Sequence, residues 1–227
     1  LGGAPERAGD WTAAINVSRR GLEADNLAES FYRGLMRALA ATGIEDCFHQ
    51  AVRAFNLAER FQIPVILLSD QSLGYRTMTM DTPDLSGIQL ESRMGPGSAE
   101  DYARFEDTES GVSPIATPGT PHHMFIATGL EHDEHGSATY TPENRVRMTA
   151  KRYRKMETLA RELVASGDGV YDDGAGAAVG VIGWGSTEGT IHEAIGRLRA
   201  DGARIAHLQP KELNPLPGPT IERFIAP

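Results

Sequence analysis

The chain holds one cysteine, Cys47, in 227 residues. One thiol forms no internal disulfide, and an iron–sulfur cluster needs about four protein ligands. The expected compartment is therefore a reducing cytoplasm, and this chain alone is expected to bind no cluster. Long apolar runs are missing too: none approaches the roughly 20 residues that cross a bilayer. Residues 1–10 are glycine, proline and charge where a signal peptide would be apolar. Positive charge is in deficit: 22 Lys and Arg against 31 Asp and Glu give a net charge of −9. That argues against nucleic acid and anionic membrane as partners, because both need clustered cations. The first residue is Leu, and residues 220–227 read as a helix start that stops. A fragment or a shortened gene product is the expectation.

What is present is ordinary in bulk, with 40% hydrophobic and 23% charged residues, and enough length for one large or two small domains. Residues 51–76, AVRAFNLAERFQIPVILLSDQSLGYR, are the most telling. Val52, Phe55, Ala58 and Glu59 recur at helical spacing, and residues 63–68 are an almost unbroken branched-aliphatic run. The pattern predicts a helix feeding a strand covered on both faces, as in a parallel sheet. Ser69, Asp70 and Gln71 follow the strand's carboxyl end, where open α/β sheets place ligands and partners.

Other elements follow from local signals. Residues 13–17 suggest a short strand, and residues 22–41 a helix with Leu27, Phe31, Leu35 and Leu39 on one side. Thr42-Gly-Ile-Glu45 has the capping-box pattern and predicts a helix over 44–61, with the strand at 63–69. Residues 75–121 carry Gly95-Pro96-Gly97 and Pro118-Gly119 and little periodicity. So long an irregular stretch reads as an extended connector wrapping a neighbour. Thr141-Pro142-Glu143 starts a helix that runs to about Ser166 and stops at Gly167. Lys151, Arg152, Arg154 and Lys155 make it basic, read as a solvated face. A glycine-rich linker over 167–176 precedes a second α/β unit: strand 178–182, turn 183–187, helix 188–200, Gly202 as stop, strand 204–208. Residues 210–219, with Pro210, Pro215, Pro217 and Pro219, are expected to continue no regular element.

Four groups carry possible chemistry. Gly183-Trp-Gly185-Ser186-Thr187 sits between strand and helix, so Gly185, Ser186 and Thr187 could dock a phosphate or carboxylate. The dinucleotide pattern is broken and no Walker lysine follows, so a tight packing turn with Ser186 or Thr187 as helix cap is favoured. His122, His123, His132, Asp133, Glu134 and His135 are good ligand types. Their spacing is not H-E-x-x-H, however, and a hydrogen-bonded polar loop at a subunit contact outweighs a metal site there. Gly167-Asp168-Gly169 imitates a diphosphate-metal motif but follows a helix, and is rejected as one. Arg19 and Arg20 could clamp a carboxylate with paired hydrogen bonds, against surface charge as the plainer reading. Cys47 reads as a small core residue.

Several segments together resemble a family. DCFHQAVRAFNLAERF (46–61) with IPVILLSDQ (63–71) looks like the alpha subunit of 2-oxoacid:ferredoxin oxidoreductases. SGVSP (110–114), PGT (118–120) and ATGLEHDEHG (127–136) look like the connector of the 2-oxoglutarate type, and PEN (142–144), Arg147-Met148 and Lys151-Arg152 continue it. VIGWGST (181–187), HLQP (207–210) and NPLP (214–217) resemble a transketolase-C-terminal-like domain.

The resemblance spans about 42–219. It implies an α/β chain in three parts: the C-terminal part of a thiamine pyrimidine-side domain (1–74), an extended connector with a long helix at 142–166 (75–176), and part of the second domain (177–227). It further implies a hetero-oligomer using thiamine diphosphate and Mg2+ shared with a beta subunit, and an iron–sulfur cluster on a partner subunit. The implied reaction is oxidative decarboxylation of 2-oxoglutarate to an acyl-CoA, with electrons passing to ferredoxin. Arg19 or Arg20 would read the substrate carboxylate. The family's tyrosine-proline-isoleucine-threonine-proline segment is not found in the chain, so the chain alone is expected to be inactive. Two alternatives stand beside this: a non-catalytic scaffold of the same fold, and a metal-dependent enzyme built on the His122–His135 loop.

Overall fold

A computed structural model describes residues 36–167, 170–172 and 177–226. The expected strand at 13–17, the first part of the helix at 22–41, and both Arg19 and Arg20 lie outside the described residues. Two three-stranded sheets and a long helix organise the described residues. In the first sheet, β1 (Arg37–Ala40) is the middle strand. It pairs in parallel with β2 (Val65–Leu68), Arg37 opposite Val65 and Ala40 opposite Leu68. On its other side runs antiparallel β6 (Glu212–Asn214), with a register shift between Ala38 and Leu39. Arg37–Ala40 is thus strand, not the end of the expected helix. Its alanines and leucine are good helix formers, but ladder bonds on both sides and burial of Leu39 and Ala40 override that preference.

Helix α1 (Ile44–Phe61) has the expected bounds. Its start differs from the expected box: Gly43 is the cap residue, and the carboxylate that reaches back is Asp46. Both the amide and the hydroxyl of Thr42 donate to Asp46 Oδ2, at 2.9 and 3.1 Å. Glu45 and Asp46 also place negative charge at the positive helix end. Phe55, expected on the buried face, is 73% exposed, whereas Leu57 and Phe61 turn into the core. The helix ends on Gln62 in left-handed conformation (φ 50°). In β2, Ile66 stays 43% exposed, so the expected coverage on both faces is not met among the described residues. Helix α2 (Gln71–Tyr75) follows at once, capped by the Asp70 side chain, which accepts from the Leu73 amide at 2.8 Å.

No helix and no ladder interrupts residues 76–141; an isolated bridge between His132 and Ala138 is the nearest thing to one. This connector folds against helix α3 (Pro142–Ser166), which starts after Thr141 with proline in its first turn and ends on Gly167 at φ 68°. The core is built on α3: Met156, Leu159 and Leu163 pack with Phe61, Ile63 and the connector's Val112. Opposite to the expected solvated face, the basic run of α3 turns inward. Lys151 is 5% exposed and donates to the Phe105 carbonyl at 2.7 Å. Lys155 donates to the Gln62 carbonyl at 3.0 Å, and Arg154 to Asp107 and the Thr108 carbonyl. A connector without ladder bonds must satisfy its carbonyls elsewhere, and the helix's cations do this.

The second sheet has β5 (Ile205–Pro210) in the middle, β3 (Val170–Asp172) antiparallel on one side and β4 (Val179–Ile182) parallel on the other. Strand β3 lies within the expected glycine linker. A one-turn 3-10 helix (Gly185–Thr187) leads into α4 (Glu188–Ala200), as expected. Beyond β5, the proline-rich stretch does form elements: β6, which returns to the first sheet, and α5 (Gly218–Ile225). The prolines flank β6 and open α5 without interrupting either, which is where proline is tolerated.

Candidate functional site

Three polar constellations stand out. The first lies where β1, α1 and β6 meet. Arg37 is fully buried and ion-paired with the buried Glu212, which also accepts from Arg53 at 2.5 Å. The other Arg37 nitrogens make no hydrogen bond among the described residues. Burial pulls the Arg37 pKa down while Glu212 pushes it back up, and a guanidinium stays charged throughout. Alongside, Lys211 donates to Asp46 Oδ1 at 2.7 Å and Gln50 donates to the same oxygen at 3.1 Å. Burial raises the Asp46 carboxyl, but Lys211, the Thr42 amide and Gln50 outweigh it and hold the pKa below the ordinary range. Sequence reasoning missed Arg37, Arg53, Lys211 and Glu212. They converge only because β6 returns to the first sheet, and no local pattern signals that.

The second constellation is the seam between the two sheets. Ser186 Oγ donates to Asp70 Oδ2. Hydrogen bonds from the Ser186 side chain and then the Leu73 amide hold the Asp70 carboxyl below its ordinary range. The turn before α4 is tight. A Cβ on Gly183 would collide with Ile191 Cδ1, with Gln209 Oε1 and Thr187 Oγ1 both at 3.2 Å. Gly185 takes φ +62° and its carbonyl accepts from buried Gln209 at 3.2 Å. Thr187 Oγ1 donates to the Trp184 carbonyl at 2.7 Å and does not cap the helix. The carboxylate held at Ser186 thus belongs to the chain itself. Gly185, Ser186 and Thr187 stand together, while Arg19 and Arg20 lie outside the described residues.

The third is the histidine loop. Among the described residues, no group of three or more His, Cys, Asp and Glu gathers as a metal site. His132 lies against Phe105, ring centres 4.2 Å apart, with Nδ1 2.9 Å from the Leu130 carbonyl. His123 packs edge-on to Tyr102. Asp133 Oδ1 accepts from the His135 and Ser137 amides at 2.9 and 3.0 Å, closing a turn. Glu131 and Glu134 pair with Arg152 and Arg147 on α3. These side chains hold the loop on the helix. Cys47 is half-buried, short of a core position.

The described residues thus build a mixed α/β unit joined by a helix-braced connector to a second mixed α/β unit. Residues 24–151, more than half of the chain, match the family model "Pyruvate flavodoxin/ferredoxin oxidoreductase, thiamine diP-bdg". The chain belongs to this family. The alpha subunit of 2-oxoacid:ferredoxin oxidoreductase 2 of Aeropyrum pernix is 35% identical over 82% of this chain. The 2-oxoglutarate oxidoreductase subunit KorA of Mycobacterium tuberculosis is 33% identical over 82%. Among solved structures, the 2-oxoglutarate:ferredoxin oxidoreductase of Magnetococcus marinus, with 2-oxoglutarate, coenzyme A and succinyl-CoA bound, aligns over 83% of this chain at 37% identity and a TM-score of 0.77. The chain spans 29% of the length of each of those two relatives and 33% of that structure's chain.

The family implies thiamine diphosphate, so the fit of the described residues matters. Among them, Glu212 is the one buried carboxylate, and two arginines already hold it. Asp46 and Asp70 are equally engaged within the chain. Glu212, Asp46 and Asp70 are thus each held by partners within the chain, so none of the three is free to engage a thiamine ring. Among the described residues, no helix is long and apolar enough to cross a membrane.

Proposed function

We propose that the chain serves as a segment of the alpha subunit of a thiamine-diphosphate-dependent 2-oxoacid:ferredoxin oxidoreductase. The observation that carries this is the joint match: a family model over 24–151, and an 83% overlay on a 2-oxoglutarate:ferredoxin oxidoreductase. The reaction would be oxidative decarboxylation of 2-oxoglutarate to an acyl-CoA, with electrons leaving through an iron–sulfur partner to ferredoxin. A beta subunit would hold the diphosphate and Mg2+. The setting would be cytoplasmic. The chain would divide into a pyrimidine-side part (1–74), a connector with its long helix (75–176) and a second α/β part (177–227). Arg19 or Arg20 would read the substrate carboxylate. An outside anion at Gly185, Ser186 and Thr187, such as part of CoA, would have to displace Asp70.

The test is co-expression of the chain with a family beta subunit, followed by 2-oxoglutarate-dependent viologen reduction. A stable complex that reduces viologen supports the reading; no complex and no activity, with a full-length alpha subunit active in parallel, contradicts it. A second reading, a non-catalytic scaffold, is favoured by one observation: every buried or half-buried carboxylate described above is already engaged within the chain. A beta subunit captured without gain of activity would select it.

A further inference from the structure

We propose that the cavity between the connector and α3 binds a multivalent oxyanion of the phosphate class. The cavity measures about 270 Å³ and is lined by Gln62, Arg104, Phe105, Lys151, Arg152 and Lys155 among others, with no carboxylate in its wall. Two of the cations of this region are neutralised: Arg152 by Glu131 at 2.7 Å and Arg154 by Asp107 at 2.8 Å. Arg104, Lys151 and Lys155 are not. Their hydrogen bonds go to neutral oxygens: the Gln62 side chain for Arg104 at 2.8 Å, the Phe105 carbonyl for Lys151 and the Gln62 carbonyl for Lys155.

Three positive charges side by side in a sheltered pocket, with no carboxylate paired to any of them and only Asp107 acting on Lys151 from a distance, are costly. Burial first, then repulsion from Arg104 and Arg152 (and, for Lys151, from Lys155, partly offset by Asp107), brings both lysines down to about 8. They still carry charge at neutral pH. An ammonium has three donors and a guanidinium five. Each lysine uses one on a carbonyl, and Arg104 reaches only Gln62 and, at 3.4 Å, the Pro114 carbonyl. The donors left over come from two separate segments of chain and surround one space. A single carboxylate would answer one charge; a divalent tetrahedral oxyanion answers two and accepts from several donors at once. The cavity exceeds a bare ion, and Phe105 offers an apolar wall beneath Arg104, 4.9 Å from its ring centre. A phosphate monoester with a small organic body fits that mixture.

The inference stands apart from the proposed reaction and is tested on the isolated full chain. Inorganic phosphate is titrated at pH 7 and low ionic strength by calorimetry and by thermal unfolding, with succinate and ionic-strength-matched chloride in parallel. The expected result is saturable one-to-one phosphate binding that raises the melting temperature, with succinate weaker and chloride without effect. Sulfate, whose charge is fixed, is used for the pH series, and its affinity is expected to fall at least about tenfold between pH 7 and 9.5. Facing the two lysines are Arg152 on α3, and Arg104, Asp107 and His132 on the connector; of these groups the lysines lose charge over that range. Lys151→Met and Lys155→Met should each weaken phosphate about tenfold or more, and Arg197→Gln on distant α4 should leave it unchanged. No saturable phosphate binding by the unmodified chain overturns the proposal without recourse to any variant. So does an equal response to chloride, or tighter binding of succinate than of phosphate.

Discussion

The connector (76–141) and the β4–α4 unit (179–200) invert the usual relation between regularity and burial. The connector has almost no repeating backbone structure, yet Ala103, Val112, Ser113 and Ala116 are buried in it and at least six of its oxygens are held by side chains of α1, α3 or the Gln62 cap. The β4–α4 unit is regular, yet Val179 and Ile182 are 56% and 46% exposed, and among its α4 residues Ile195 is the buried one. Regularity satisfies a segment's own backbone; burial depends on what lies across from it. The connector trades ladder bonds for long cationic side chains that bury their stems and bring a donor to its carbonyls. In the β4–α4 unit, the helix bonds its own backbone, β4 is bonded to β5, and little apolar surface is covered, so local opening of α4 costs less.

The comparison can be broken first at Gly111. Its φ is +78°, and a Cβ there would lie 2.6 Å from both the Lys151 carbonyl oxygen and the Lys155 amide nitrogen. Both are helix backbone and cannot swing aside. Gly111→Ala should cost on the order of 4 kcal/mol in denaturant unfolding, from strain and overpacking together. Next is a pair of equal truncations. Leu159→Ala, fully buried on α3, should cost about 3 kcal/mol. Leu198→Ala, 47% exposed on α4, should stay within about 0.5 kcal/mol. Equal costs would remove the distinction between the regions.

The third prediction uses pH. Lys151 and Lys155 titrate near 8 in the folded chain against 10.5 for an ordinary lysine. Between those values the unfolded chain binds more protons, so these groups make stability rise with pH. The melting temperature should therefore gain from pH 7.5 to 9.5 in the unmodified chain relative to a Lys151→Met, Lys155→Met double variant. Smallest is the seam. Ser186→Ala should lower the melting temperature slightly at neutral pH. The difference from the unmodified chain should vanish as acidification protonates Asp70, whose depressed pKa gives stability only above the carboxylate range.

Much of this was legible in local signals. Thr141-Pro142 and Gly167 bracket α3, and residues 188–200 form α4 with the bounds their pattern predicts. What was hidden depends on distant partners. The RALA of β1 is helix-favouring in composition and becomes strand because β2 and β6 flank it. The basic run of α3 looks solvated because its acceptors, the Phe105 and Gln62 carbonyls, lie far away in sequence. Glu212 sits in a proline-rich stretch that gives no sign of returning to the first sheet. Of the site residues, Ser186 reads in sequence as a helix cap in a tight turn, with an anion dock as the lesser possibility, and in the structure it donates to the chain's own Asp70. Nothing local marked Asp70 as its partner.

Residue-resolved hydrogen exchange compares the two regions amide by amide: an irregular strap bound to α3 is held more firmly than a regular but thinly covered helix. In the connector, the Phe105 amide donates to the Glu134 carbonyl at 2.8 Å and the Ile115 amide to the Met94 carbonyl at 2.9 Å. These two amides should exchange more slowly than the mid-helix amides of α4. Faster exchange at Phe105 and Ile115 than across α4 would contradict the account.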